Sequence, residues 1–598
     1  MKAAGFALLL TAAPLAAWAN AVTHLPSARS ELSLNGAWTV QGPNGTTTVT
    51  VPASIPAVGG ITTWSRTFSL SLSSRPLVAY LHFEGIVHTA VVLLNGTQVG
   101  TLVALQDTRI DVSTVLNYNG SNQLTVLIDD RLTSTTVPGG PTDLFVPQFG
   151  ALAYEFPIAW VWNPGIVRNV SLVTSDHAVI TDAFAQTTFN TDLSTATVHI
   201  RVRPLGAPAQ ALVATAVIED GGVNKGICLA LADANNELSC SISISSPNLW
   251  SPSNPHLYDV LVTLYDDSGV VDGTYDRVGL RKFEIRGNLF YLNNQRVFLR
   301  GISRHDLYGS NDLVASDATI DSDLRAIKAL DANFVRTIHY PPDARVAQKA
   351  DEIGLLISEE IPAWAIFADP GVIQIAQGMV KSMIERDMNR ASVIMWFTGS
   401  GRNLNSAAYY AATAATAKSV DPQRPVSFVF DDGAYQVSQI QANVDAMRAA
   451  GMSLYAQNAY WPAYIVDQLV PAMPTDLPVV FTEWTGGEGS DRGPVGEPGV
   501  KVFPDYYSAD GYSSEILSAQ KMFAKFNGLA PHVCTASVTA PCLSGIVYFT
   551  WQDVKWPAIF FFMSLHYLLL QNGLVYEDRT PKPWPQAIFY SLMHSLPH

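Results

Sequence analysis

The feature that most constrains this chain is a change of hydrophobic period near residue 287. Before it, short apolar runs alternate with polar residues at a period near two, and Gly, Asn, Pro and Ser separate them. Residues 76–83, 90–94 and 123–128 are such runs, and Asn95-Gly96 after one of them is a tight-turn signal. This all-β pattern predicts a jelly-roll sandwich over 22–175. Residues 197–202, 212–218 and 258–265 repeat it at a length that suits an immunoglobulin-like sandwich over 176–285. After the change, apolar runs alternate with segments of helical spacing. The strand candidates are 297–301, 333–338, 355–358, 392–396, 426–430, 477–482 and 545–551, and 316–330 is a helix candidate. Strand–helix alternation over 286–598 predicts a (β/α)8 barrel. The expected fold class is therefore multi-domain β plus α/β.

With 598 residues, several hydrophobic cores are needed. Apolar residues make up 48% and charged residues 15%, so the chain has enough apolar surface to bury them. The formal net charge of -15 argues against nucleic-acid binding, which needs clustered cations. Lys2 and the apolar run after it, with Ala17-Trp18-Ala19 and Ala19-Asn20-Ala21 as cleavage sites, read as a signal peptide within 1–21. Secretion is the expectation. A second apolar run, 557–570, contains His566 and reads as buried core, so no membrane span is expected. Cys228 with Cys240 and Cys534 with Cys542 are close pairs that suit disulfides in an oxidising compartment. No Cys/His metal spacing occurs, and no metal or cofactor is implied. Sequons stand at Asn44, Asn95, Asn119 and Asn169. Oligomeric state is not legible.

In an α/β barrel, chemistry sits where strands end. The residues at or just past the ends of these runs are Ser303, Arg304 and His305; Arg336, His339 and Tyr340; Glu359 and Glu360; Trp396, Ser400 and Gly401; Glu483; and Trp551 with Asp553, and near Ser453 come Asn458, Tyr460 and Trp461. Polar and aromatic groups converging on one rim suit a polyhydroxylated ligand, and a carboxylate beside Tyr or Arg suits a glycosyl nucleophile.

The chain resembles glycoside hydrolase family 2, the β-galactosidase and β-glucuronidase family. The resemblance rests on Leu34-Asn35-Gly36-Ala37-Trp38, Gly165-Ile166-Val167-Arg168, Leu249-Trp250-Ser251-Pro252, Arg300-Gly301-Ile302-Ser303-Arg304-His305, Arg336-Thr337-Ile338-His339-Tyr340-Pro341 and Gly573-Leu574-Val575. It implies an N-terminal galactose-binding-like domain, an immunoglobulin-like domain and a barrel that hydrolyses β-hexosides with retention, with a galactoside as the default substrate.

The family's nucleophile motif falls on Glu483, which Tyr460 would orient. His305, His339, Glu360, Ser400, Asn458, Trp461 and Trp551 are the implied carbohydrate-binding set. The family's acid/base motif matches Arg386-Asp387, Asn389, Ser392-Val393 and Met395-Trp396, then departs. Ser400 stands where the family has Asn, and Gly401 where it has the general acid/base Glu. No Asp or Glu occurs between Asp387 and Asp421. Glu359, Glu360 and Asp553 are the candidates to replace the lost acid. The alternative is a carbohydrate-binding protein without turnover. Leu570-Gln571-Asn572-Gly573 lacks the Lys that the glucuronidase branch sets against a uronate, which points to a neutral sugar.

Overall fold

The structure is a computed structural model. It describes residues 29–139, 163–308, 313–363, 369–401, 407–430, 437–459, 467–484, 532–535, 541–548, 554–557, 567–570, 590 and 593–594. The expected signal peptide, Tyr460, Trp461, Trp551, Asp553 and the motif at 573–575 lie outside the described residues.

The chain opens with β-structure in two main sheets. One has four strands, Ser30–Ser33, Val170–Ser175, Val78–Phe83 and Thr108–Asp111 in spatial order. The other has six, from Gly45–Val51 at one edge to Thr97–Leu102 at the other. Alternate residues of both turn inward and bury Trp38, Trp64, Leu81, Val92 and Val126. The Asn95-Gly96 turn forms as its sequence predicts, with both residues at positive φ.

Seven antiparallel strands follow, from Val179–Phe189 to Gly269–Val278. Val223–Ala232 pairs with Val213–Asp220 along most of its length and with Leu238–Ser245 at its end. Through that shared strand the set wraps around Val198, Ile200, Ile218, Val260 and Val262. The Cys228–Cys240 disulfide links two of these strands, and Cys534–Cys542 is also bonded.

Eight parallel strands then close a barrel: Leu299–His305, Phe334–Ile338, Leu356–Glu360, Val393–Gly401, Val426–Phe430, Tyr455–Asn458, Val479–Trp484 and Gly545–Tyr548. Their interior is packed with Leu299, Phe334, Leu356, Met395, Phe397, Val429, Ala456, Val480 and Val547. The opposite faces pack against helices through residues such as Val335, Ile357, Trp396 and Phe481. Trp396 therefore lies outside the barrel, where its indole nitrogen donates to Asp421 Oδ2 at 3.1 Å. The helix Asp317–Ala329 starts at Ser316, whose hydroxyl accepts from Thr319 N at 3.2 Å. The helix Ala344–Ile353 stops at Gly354, which takes the left-handed conformation.

The 557–570 run ends in two short strands: Val554–Pro557 pairs antiparallel with Tyr567–Leu570. Among the described residues, no helix is long and apolar enough to cross a membrane.

The segment leading into the fourth barrel strand clamps the barrel to the preceding sheets. Asn389 Nδ2 donates to Ala183 O and to Asp276 Oδ2, both at 2.8 Å, and its Oδ1 accepts from Ala185 N at 2.9 Å. Arg390 pairs with Asp276, and Arg203 bonds Glu385 at 3.0 Å. Ser382 Oγ donates to Asp107 O in the first β-region at 3.0 Å. We expect Asn389→Ala to take away the side-chain partner of Ala183 O and Ala185 N, while Arg390 still holds Asp276, and to destabilise the fold by about 1–3 kcal/mol. The check is a lowered urea midpoint with activity per folded molecule unchanged.

Candidate active site

Parallel strands bring every strand end to one rim. His305, Glu360, Gly401 and Asn458 are the last residues of the first, third, fourth and sixth strands. Glu483 lies one residue before the end of the seventh, in register with Asn458. His339 directly follows the second strand.

The hub of this rim is Arg336, which lies mid-strand in the second strand with no solvent exposure. Its Nε and Nη2 donate to Glu360 Oε2 at 3.2 and 2.7 Å, and its Nη1 donates to Glu483 Oε1 at 2.8 Å. Nη1 also reaches Thr482 O at 3.2 Å. The guanidinium lies 5.9 Å from the centroid of the Phe397 ring. Burial opposes its charge, but Glu360 and Glu483 outweigh that cost and hold its pKa above the ordinary value. A buried cation between two buried carboxylates is stable only because each group compensates the others.

His339 spans the same two carboxylates. Its Nδ1 lies 3.1 Å from Glu360 Oε1 and its Nε2 lies 3.2 Å from Glu483 Oε1. Glu483 is thus held by Arg336 and His339 together, and its backbone carbonyl accepts from Ala459 N at 2.7 Å. Asn458 Oδ1 accepts from Thr482 Oγ1 at 2.9 Å. The His305 ring stands 5.5 Å from the His339 ring, and its Nδ1 lies 3.4 Å from the Tyr340 hydroxyl. Burial, reinforced by His339, Arg336 and Arg304, pushes the His305 pKa well below the imidazole range.

The structure thus brings Glu483, Glu360, His339, His305 and Asn458 together through Arg336. Sequence reasoning quoted Arg336 within a motif but gave it no role. A signal was present: an Arg in the middle of the buried strand Phe-Val-Arg-Thr-Ile must have a buried partner. Glu360 is engaged by Arg336 and His339.

Glu359 turns away from this cluster. Successive strand residues point to opposite faces, and Glu359 meets Arg386 Nη2 at 3.4 Å, beside Asp387 behind the barrel wall. Burial, and then the charge of Asp387, push its carboxyl well above the usual range. Arg386 and Asp387 form an ion pair. Glu359 therefore faces away from the Glu483 cluster and offers that site no proton.

The fourth strand ends in Gly399-Ser400-Gly401. Gly399 and Gly401 have φ of 136° and 135°, values that side chains rarely tolerate. A Cβ on Gly399 would lie 2.6 Å from Ala363 O. Ser400 is buried, and its hydroxyl has no hydrogen-bond partner among the described residues. The backbone at 401 is shaped for glycine.

Residues 283–498 match the family model "Glycosyl hydrolases family 2, TIM barrel domain", and residues 178–281 match "Glycosyl hydrolases family 2". Together they span more than half of the sequence. The chain belongs to glycoside hydrolase family 2. It is 29% identical over 356 residues to a β-galactosidase of Thermoanaerobacter pseudethanolicus, covering 58% of this chain and 46% of that one. It is 28% identical over 324 residues to a putative β-glucuronidase of Formosa agariphila, covering 53% of this chain and 37% of that one. The chain thus spans less than half the length of these curated relatives. Its fold is shared with a β-glucuronidase from Ruminococcus gnavus solved in complex with D-glucuronic acid, at 19% identity and a TM-score of 0.74. That match covers 95% of this chain and 98% of the other.

Two predictions follow from the buried charges. Arg336→Met leaves Glu360 and Glu483 uncompensated, and we expect it to cost about 3–5 kcal/mol, measured by chemical denaturation. For Glu359, the folded pKa lies above the unfolded value. Its stabilising contribution is full below the unfolded pKa, near 4.5, and is lost as pH rises through the folded pKa. Glu359→Gln mimics the protonated form at every pH. Melting temperatures of the two proteins should agree at the acid end and diverge upward in pH, with the variant the more stable.

Proposed function

We propose that this chain is a retaining β-glycosidase whose nucleophile is Glu483. The arrangement of Glu483 carries this reading: a carboxylate at the end of a barrel strand, held by Arg336 and His339. A fixed carboxylate is what attack on an anomeric carbon requires, because orientation removes much of the entropic barrier. Arg336 holds Glu483 from the protein side, and Glu360 fixes both Arg336 and His339. His305 and Asn458 stand on the same rim, where hydroxyls of a bound sugar would lie. Membership of glycoside hydrolase family 2 supports the assignment, as do relatives named β-galactosidase.

The proton donor of the family is replaced by Gly401 in this reading, and Ser400 replaces a contact to the sugar. The preferred sugar is a neutral β-hexoside, since the Lys expected for a uronate is missing near Gln571-Asn572. The protein is secreted after cleavage of its N-terminal segment. Its four sequons stand at exposed residues. Asn95 and Asn169 already use their amide nitrogens on Asn122 and Glu84, so Asn44 and Asn119 are the better acceptors.

The test is covalent. A panel of 2-fluoro β-glycosyl fluorides is incubated with the protein, and the labelled peptide is identified by mass spectrometry. One sugar should label Glu483. Glu483→Gln should abolish labelling and lower turnover of an activated aryl glycoside by at least about 10⁴-fold. Labelling of another residue, or none with any sugar, removes the nucleophile assignment.

A further inference from the structure

We propose that Arg168, contributed by the first β-region, is a positioning residue: it holds the segment that carries His339 and so sets the angle at which Glu483 is presented. This rests on the glycosidase reading and deepens it. The Gly165–Ile166 strand pairs antiparallel with Ala53–Ser54 and with Ile86–Val87. Just after it, the amides of Val167 and Arg168 both donate to Gly85 O at 3.2 Å. A Cβ on Gly85 would lie 2.9 Å from Arg168 Cδ, so the Arg stem lies against a position with no room for a side chain.

Val87 and Val167 are buried in the same apolar cluster as Ile338 and Tyr340 of the barrel. This brings the guanidinium to the segment after the second strand, where Nη2 of Arg168 donates to Pro341 O at 2.6 Å. The segment reads His339-Tyr340-Pro341-Pro342-Asp343. Its two prolines carry no backbone N–H, so their carbonyls are the main-chain groups that a neighbour can hold. On one side of them Asp343 N donates to Asp306 Oδ2 at 2.7 Å; on the other the Tyr340 hydroxyl lies 3.4 Å from His305 Nδ1. Arg168 grips the segment between these points, two residues from His339.

His339 bridges Glu360 and Glu483 through its two ring nitrogens, so a shift of the Pro341 carbonyl is passed to the ring that holds the Glu483 carboxylate. The grip is not a cheap way to join two regions. Arg168 is 5% exposed. Burial, and then the charge of Arg386, hold its pKa below the ordinary value, although Asp343, Asp306 and Glu84 oppose them. Apolar packing alone would join the surfaces without burying a cation. What the guanidinium adds is direction: a rigid donor aimed at one carbonyl. Attack on an anomeric carbon is sensitive to such aim, because a carboxylate displaced by about 1 Å loses about 10²-fold in rate.

The test uses the full chain and the fluoro-sugar that labels Glu483. Arg168→Met keeps the apolar stem and removes the donor. Gly85→Ala keeps the donor and pushes its stem aside. Asn389→Ala, which loosens a different clamp on the barrel, is the comparator. For each, the labelling rate at saturating sugar, kcat and KM for an activated aryl glycoside, and the urea midpoint are measured. We expect Arg168→Met to lower the saturating labelling rate and kcat per folded molecule by about 10²-fold, with KM changed by less than about threefold. Gly85→Ala should lower the same two rates, and it decides the matter should Arg168→Met fail to fold. Asn389→Ala should lower the urea midpoint alone. A folded Arg168→Met or Gly85→Ala protein that labels at the parent rate, whatever its urea midpoint, makes Arg168 a clamp like Asn389; it overturns this proposal and leaves the glycosidase reading standing. A parent chain that no sugar labels at Glu483 overturns both.

Discussion

The site depends on one buried guanidinium. Arg336 sits in the middle of the barrel's second strand, on its interior face, and binds carboxylates from the third and seventh strands. Without it, two buried carboxylates would stand in a low-dielectric interior with no cation between them. Because the cation is rigid and planar, it fixes direction as well as charge. Glu360 takes two of its nitrogens and also turns His339, so the ring reaches Glu483 from a set angle. The orientation of the Glu483 carboxylate is thus a property of three strands acting together.

The stretch from Glu385 to Gly401 shows how a family motif divides its labour. Its first half, Glu385 to Arg390, binds the strands that precede the barrel through Arg203, Ala183, Ala185 and Asp276. Arg386 and Asp387 also enclose Glu359 behind the third strand. These residues serve assembly, so their match to the family pattern says little about catalysis. The second half forms the fourth strand, and only its last residues reach the rim. There the pattern departs, and the backbone has taken conformations that suit glycine. A glycine at 401 and retention of the clamp are therefore compatible: the two halves answer to different forces.

Much of this was legible beforehand. Period-two alternation marked the strands because one face of each sheet is buried, and the shift to strand–helix alternation marked the barrel. All eight barrel strands fall on or next to runs or strand ends picked out in the sequence, although several run further toward the rim than the apolar run itself. The fourth strand continues through Thr398-Gly399-Ser400 to Gly401, since pairing with neighbouring strands extends past the last apolar residue. Trp396 was harder to place. An aromatic near a strand end suits a sugar platform, yet strand parity puts it among the helices.

The sequence by itself determined the order of structural types, the family, the turn at Asn95-Gly96 and the set of polar groups that reach one rim, because these follow from local periodicity and short-range spacing. Only the tertiary structure decided which of two adjacent acids, Glu359 or Glu360, lies on the side of Glu483, and that Arg336 joins Glu360 to Glu483. Those outcomes depend on strand parity and on partners 24 and 147 residues away from the Arg. No local pattern encodes such distances; they exist only once the barrel has closed.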